Sequence, residues 1–100
     1  MYDMKNLKKF ARYGELAPDA FKKFVAFDEA AYADGAIPHK YKELMAVAVA
    51  LTTQCPYCIE IHSKKAKKAL ASEQELAETA LVAAALRAGG AMTHGTHALE

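Results

Sequence analysis

Apolar residues along this 100-residue chain recur at helical intervals, and the pattern predicts a succession of helices. Tyr2 to Tyr13 is a short amphipathic stretch, with Leu7 and Phe10 set among Lys5, Lys8, Lys9 and Arg12, and Gly14 is expected to end it. A second helix opens at Pro18, a residue suited to the first helical position because its missing N–H would be unpaired there anyway. Phe21, Phe24, Val25, Phe27 and Ala31 follow near helical spacing, and Gly35 is the expected stop. A third helix runs from Pro38 to about Thr53. Between Leu44 and Leu51 it is apolar on every side, a run that periodicity alone cannot separate from a buried strand. Alanine at positions 46, 48 and 50 and the start at Pro38 favour helix. A helix without a polar face is buried, within the domain or at a subunit contact.

Thr52-Thr53-Gln54 interrupts the apolar run, and Pro56 opens a fourth helix that reaches about Leu70. Ser72 followed by Glu75 has the form of a capping box. The fifth helix then passes through Leu76, Ala80, Leu81, Ala84 and Ala85 to Arg87 and is closed by Gly89-Gly90. A short sixth helix or tail carries Met92, His94 and His97. The expected fold is all-α: one domain over residues 1–100, a bundle of about six helices.

Composition adds an oligomer to this picture. The chain is 53% hydrophobic without tryptophan, and much of that fraction is alanine, which packs helices closely but offers little apolar area per residue. A domain this small needs a partner surface to complete its core. A net charge of +1 gives no electrostatic footprint for nucleic acid. No apolar run approaches the roughly 20 residues that span a bilayer, and MYDMKNLKKF lacks the apolar stretch of a secretory signal. The expected setting is the cytoplasm, without membrane or nucleic-acid partners. Leu99-Glu100 has the look of an expression-vector scar.

The chemistry is concentrated between Glu43 and His62. Both cysteines of the chain, Cys55 and Cys58, stand there as a C-x-x-C pair, and His62 follows four residues after the second. In a reducing compartment that spacing suggests redox or metal chemistry more than a structural staple. On a helix Cys58 and His62 share a face. Cys55 falls at or just before the helix N-terminus, where unpaired N–H groups and the dipole favour a thiolate. One thiol can reduce an oxidant and become a sulfenic acid, and its neighbour can then close a disulfide. Sulfur holds the two electrons, so no organic cofactor is required. Glu43 precedes Cys55 by twelve residues, about 18 Å along a straight helix. It reaches His62 only if the chain reverses near Gln54 and the third and fourth helices pair antiparallel. In that case the carboxylate raises the basicity of the imidazole and sets its tautomer.

Glu43, Cys55, Cys58 and His62 read together as E-x11-C-x2-C-x3-H. This resembles the signature of the alkylhydroperoxidase D-like proteins of the carboxymuconolactone decarboxylase family. The stretches AIPHKYKELMAVAVALTTQCPYCIEIHSKKA and ALVAAALRAGGA are similar in texture to that family's core, and the resemblance covers about residues 20–95. It implies an all-α oligomer, a homotrimer or homohexamer with the site near subunit contacts. It implies reduction of a hydroperoxide by a dithiol–disulfide cycle. Cys58 attacks, Cys55 resolves and meets the external dithiol reductant, and His62 with Glu43 relays protons. In the best-known members the reductant is a lipoyl-bearing protein. Two departures bear on activity. Tyr57 stands where the characterised peroxidase has a relay histidine, and the chain is about half that enzyme's length, with one copy of the domain. The decarboxylases of the superfamily lack the cysteine pair, so its presence argues against decarboxylation.

Other readings of the same residues compete. Cys55, Cys58 and His62, with Glu43 or His94 as a fourth ligand, match the ligand types of a zinc site, although the chain has no further cysteine for a second pair. The domain would then be a metal-binding or structural helical oligomer. A non-redox member of the family acting on a lactone is a third reading. Taken alone, Glu43 reads as a helix-surface acid paired with Lys40, and Tyr57 as a packing residue. The run Lys64, Lys65, Lys67 and Lys68 reads as a solvated helix face rather than as a docking site for an acidic reductant protein. His94 and His97 suit a frayed or interface-packing end better than a metal, and His39 in a first helical turn has no evident role.

Overall fold

The structure, a computed structural model, describes residues 2–99. Glu100, half of the suspected scar, lies outside the described residues. Five α-helices carry the fold: α1 Phe10–Leu16, α2 Pro18–Tyr32, α3 His39–Thr53, α4 Pro56–Lys68 and α5 Glu73–Gly95. Short 3₁₀ segments, Met4–Lys9 and Thr96–Ala98, stand at the two ends, and there is no strand among the described residues. The apolar run at 44–51 is helical, as its alanines indicated.

The chain divides between His39 and Lys40 into two compact units. The N-terminal unit holds α1 and α2. Helix α1 does not stop at Gly14; it passes through and ends at Leu16. The breaker is Pro18, whose ring bars the preceding residue from helical geometry, and Ala17 accordingly lies at φ −143°, ψ 67°. Phe21 of α2 meets Phe10 of α1 in a tilted contact and stacks with Tyr13, at centroid separations of 6.2 and 5.9 Å, and Phe24 continues the ladder. No residue from 2 to 38 is buried, so this aromatic ladder leaves much apolar surface open. Helix α2 ends at Tyr32, short of Gly35. The connection to α3 is held by Asp34, which accepts the His39 N–H at 2.7 Å, and by the His39 ring, whose Nδ1 donates to the Tyr32 carbonyl. His39 is thus a loop clasp.

The C-terminal unit packs α3, α4 and α5 through small side chains. Its buried apolar residues are Val47, Ala50, Ala66, Ala71 and Ala83. On α3, Glu43, Val47 and Ala50 form one buried face, at i, i+4 and i+7. The opposite stripe, Tyr41, Met45 and Val49, is about half exposed. The expectation that α3 is covered all round is therefore met on one side only. A groove of about 380 Å³ runs between α3 and α5, lined by Tyr41, Leu44, Met45 and Ala48 from the first and Thr79 and Val82 from the second.

Helix ends in this unit follow the chemistry of their caps. Ser72 Oγ accepts the Glu75 N–H at 3.0 Å and Glu75 Oε1 accepts the Ser72 N–H at 2.9 Å, the reciprocal pair of a capping box. Glu75 also meets Lys40 Nζ at 2.8 Å, tying the start of α3 to the start of α5. Helix α5 does not close at Gly89-Gly90 but continues to Gly95, which absorbs the expected sixth helix. Glycine ends a helix where a left-handed residue is needed, and no glycine here has positive φ. Within a helix it costs only about 1 kcal/mol relative to alanine.

Left-handed residues occur instead at Gln54 (φ 58°) and Leu70 (φ 72°). Each sits one residue past the C-cap of a Schellman turn. The Cys55 N–H returns to the Ala50 carbonyl at 3.1 Å, and the Ala71 N–H to the Ala66 carbonyl at 2.9 Å. The apolar contact that accompanies such a turn comes from buried Ala66 and Ala71, whereas Leu70 is 85% exposed. A β-carbon in this conformation costs roughly 1–2 kcal/mol, part of which a glycine's greater unfolded-state entropy offsets. Leu70→Gly is expected to stabilise the chain by about 0.5–1 kcal/mol, measured as a thermal midpoint raised by a few degrees.

Candidate active site

The left-handed turn at Gln54 reverses the chain between α3 and α4, and this reversal assembles the site. Glu43, on the first half of α3, comes level with His62 on α4. Its Oε1 accepts a hydrogen bond from His62 Nδ1 at 2.7 Å across nineteen residues of sequence. Glu43 is 1% exposed and the His62 side chain 14%. Glu43 is therefore not the surface acid paired with Lys40: that lysine has Glu75, and the carboxylate of Glu43 lies in the interior. A carboxylate so placed requires a donor, because burying it without one costs several kcal/mol. With Nδ1 engaged by Glu43, the ring orientation of His62 is set by that bond.

Cys55 is the N-cap of α4. Its backbone is extended there, Pro56 takes the first helical position, and its Sγ accepts the Cys58 N–H at 3.4 Å. The two sulfurs are 2.8 Å apart, both thiols are free, and both are half-buried. His62 lies one helical turn beyond Cys58, on the same face of α4.

The two thiols are not equivalent. Cys55 is held below the ordinary thiol value of 9.0, first by the S–H donated from Cys58, then by the backbone N–H groups of Cys58 and Tyr57, with partial burial opposing them. Cys58 is pushed up to about 11 by its hydrogen bond to Cys55, by burial and by the charge on Cys55. Of the two, Cys55 is the thiol that ionises more readily and Cys58 the one that keeps its proton to higher pH. Tyr57 enters through its main-chain N–H, a contribution its side chain gives no hint of in the sequence.

Of the sequence-derived candidates, Cys55, Cys58, His62 and Glu43 gather around the first two turns of α4. The rings of His94, in the last turn of α5, and His97, in the 3₁₀ segment that follows, lie tilted against each other with a centroid separation of 5.9 Å. No three His, Cys, Asp or Glu side chains converge on a metal-sized point among the described residues.

A sequence model of the carboxymuconolactone decarboxylase family matches residues 18–100. The chain belongs to the carboxymuconolactone decarboxylase family. Over 93 residues it is 43% identical to uncharacterized protein 4 in the cox locus of Paracoccus denitrificans, covering 93% of this chain and 81% of that one. An uncharacterized protein of Haemophilus influenzae is 41% identical over the same length, covering 82% of that protein. Among solved structures, the apo form of a carboxymuconolactone decarboxylase family protein from Legionella pneumophila superposes with a TM-score of 0.78 at 34% identity, over 93% of this chain and 83% of that one. A protein from Methanobacterium thermoautotrophicum gives 0.81 at 34% identity, over 88% and 99%. The all-helical architecture is that of the family.

The sulfur geometry predicts an asymmetric titration. Alkylation of the reduced protein with iodoacetamide, followed by mass-mapped peptides, should show Cys55 reacting first, with a midpoint below 9.0, and Cys58 only near pH 11. Cys58→Ala removes the principal donor to Cys55 and should move the Cys55 midpoint upward toward the ordinary value.

Proposed function

We propose that this protein is a dithiol peroxidase of the alkylhydroperoxidase D-like kind, working by a Cys55/Cys58 disulfide cycle. The observation that carries the reading is the buried Glu43–His62 hydrogen bond one helical turn from a pair of free, touching thiols. Cys58 gives its proton to His62, and the thiolate attacks one oxygen of a hydroperoxide. The O–O bond breaks and an S–O bond forms. The departing alkoxide takes a proton from the imidazolium and leaves as the alcohol. Cys55, the more readily ionised thiol, attacks the Cys58 sulfenic acid; an S–S bond forms, the S–O bond breaks, and the leaving hydroxide takes the Cys55 proton and departs as water. An external dithiol then reduces the disulfide by exchange. Glu43 keeps the imidazole oriented and stabilises its protonated form.

The lowered value of the Cys55 thiol favours a second use of the same pair, exchange with disulfides, in which Cys55 attacks and Cys58 resolves. A metal-site reading draws less support, because Glu43 is committed to His62. The family also contains decarboxylases, but a paired thiol has no part in that chemistry. We read residues 1–100 as one domain acting in the cytoplasm, and no helix among the described residues is long and apolar enough to cross a membrane. The open aromatic ladder of α1–α2 and the uncovered stripe of α3 support assembly as a homotrimer or homohexamer, with these faces between subunits.

Intact-mass and free-thiol measurements on reduced protein, before and after one equivalent of peroxide, test the cycle. Loss of two hydrogens and both thiols is expected; Cys58→Ser should abolish it, and Cys55→Ser should leave a sulfenic acid on Cys58 that dimedone traps. Peroxide consumption that survives Cys58→Ser would refute the assignment. Glu43→Gln keeps the shape but removes the charge behind His62, and should slow the peroxide step about 10²-fold while leaving the disulfide exchangeable by dithiothreitol.

A further inference from the structure

The C-terminal half of α4 carries features that the site chemistry does not use. Residues 64–68 contain four lysines, and the stretch from Ile61 to Ser72 contains no acidic residue. All four lysines are exposed. Lys64 leans toward Glu60 at 3.5 Å, whereas Lys65, Lys67 and Lys68 have no acidic partner among the described residues. Lys65 lies three residues past His62 and seven past Cys58, on the stripe of α4 that bears the thiol and the imidazole. Lys68 follows one turn further. Cations near a helix C-terminus complement its dipole, which accounts for one or two of them and not for four in five residues.

Leu70 adds an independent observation. Its left-handed backbone is the position glycine usually fills, its side chain takes no part in the cap, and it is 85% exposed immediately beyond Lys67 and Lys68. A strained backbone bearing an exposed leucine works against stability, and such strain concentrates where a surface has a task. An apolar anchor ringed by unpaired cations suits a partner that is acidic around an apolar spot. Along the helix axis the patch extends from about 10 Å to about 18 Å beyond Cys58. That is too long for a small peroxide to bridge and well suited to a protein surface.

We propose that Lys65, Lys67, Lys68 and Leu70 form the docking epitope for the acidic protein that delivers the external dithiol to the Cys55–Cys58 disulfide. The inference rests on the dithiol cycle proposed above and names the class of its reducing partner. Exchange at the sulfurs is electron-balanced: the incoming dithiol becomes a disulfide as the Cys55–Cys58 bond is reduced to two thiols.

The test starts from full-length chain oxidised with diamide, so that a failure of peroxide chemistry does not interfere. Reduction is followed with three probes: dithiothreitol, a Cys-Gly-Gly-Cys peptide flanked by glutamates and one phenylalanine, and the same peptide with lysines replacing the glutamates. The acidic peptide is expected to react about tenfold faster than the basic one at low salt, with the advantage lost at about 0.5 M salt. Lys65→Glu/Lys68→Glu should reverse the preference. Leu70→Gly, which is expected to be more stable than the parent, should slow the acidic peptide several-fold. Dithiothreitol should reduce the parent and these variants alike. Equal rates for the two peptides, or preference unchanged by the charge reversal, would overturn the proposal. So would a changed oligomeric mass for Leu70→Gly, which would assign the patch to contacts between copies, or stronger competition by a single-stranded oligonucleotide than by a redox-inert acidic peptide.

Discussion

A carboxylate in the interior of a small helical protein must be paired, and the pairing of Glu43 organises this one. With 1% exposure the side chain has almost no access to water, and His62 supplies a donor at 2.7 Å. That contact joins residues from two helices, so it exists only while α3 and α4 stand antiparallel. The reversal at Gln54, the cap at Cys55 and the placement of His62 one turn past Cys58 are all required for it. The candidate site and the fold are therefore coupled through one hydrogen bond, and the interior around it is kept thin by alanine so that the helices can approach.

The electrostatics of the sulfur pair follow from the same turn. The Schellman closure that ends α3 uses the Cys55 N–H, while the Cys55 sulfur caps α4. One residue thus terminates one helix and begins the next, and its thiol is set among main-chain N–H groups as a consequence. Cys58, one turn inside the helix, is pushed up instead by its hydrogen bond to Cys55 and by burial, which outweigh its own backbone N–H. Two chemically identical side chains acquire different acidities from their positions on a helix, with His62 one turn beyond Cys58.

Much of the fold was legible along the chain, and the misses have specific causes. Pro18, Pro56 and the Ser72–Glu75 box marked helix starts because their effects are local. Helix ends were less legible. Gly14, Gly89 and Gly90 read as stops, yet all three lie within helices, since glycine permits a left-handed turn without imposing one. The actual left-handed positions, Gln54 and Leu70, are residue types that sequence rules do not mark, and they are tolerated because the Schellman hydrogen bonds around them hold. The run from Leu44 to Leu51 on α3 read as apolar and buried on every side, and in the single chain its Met45 and Val49 lie open, because only one face of α3 packs within the domain.

The amino-acid sequence by itself determined the helical class, the starts of the main helices and the stripe that puts Cys58 and His62 together. All of these depend on residues within a few positions of one another. Only the tertiary structure decided that Glu43 meets His62 while Lys40 meets Glu75. Those pairs cross 19 and 35 residues of chain, and their choice depends on which helix faces pack. Local sequence cannot distinguish a surface carboxylate from a buried one on the same apolar helix. Burial removes water as a partner, and the hydrogen bond that replaces water then sets the chemistry of the site.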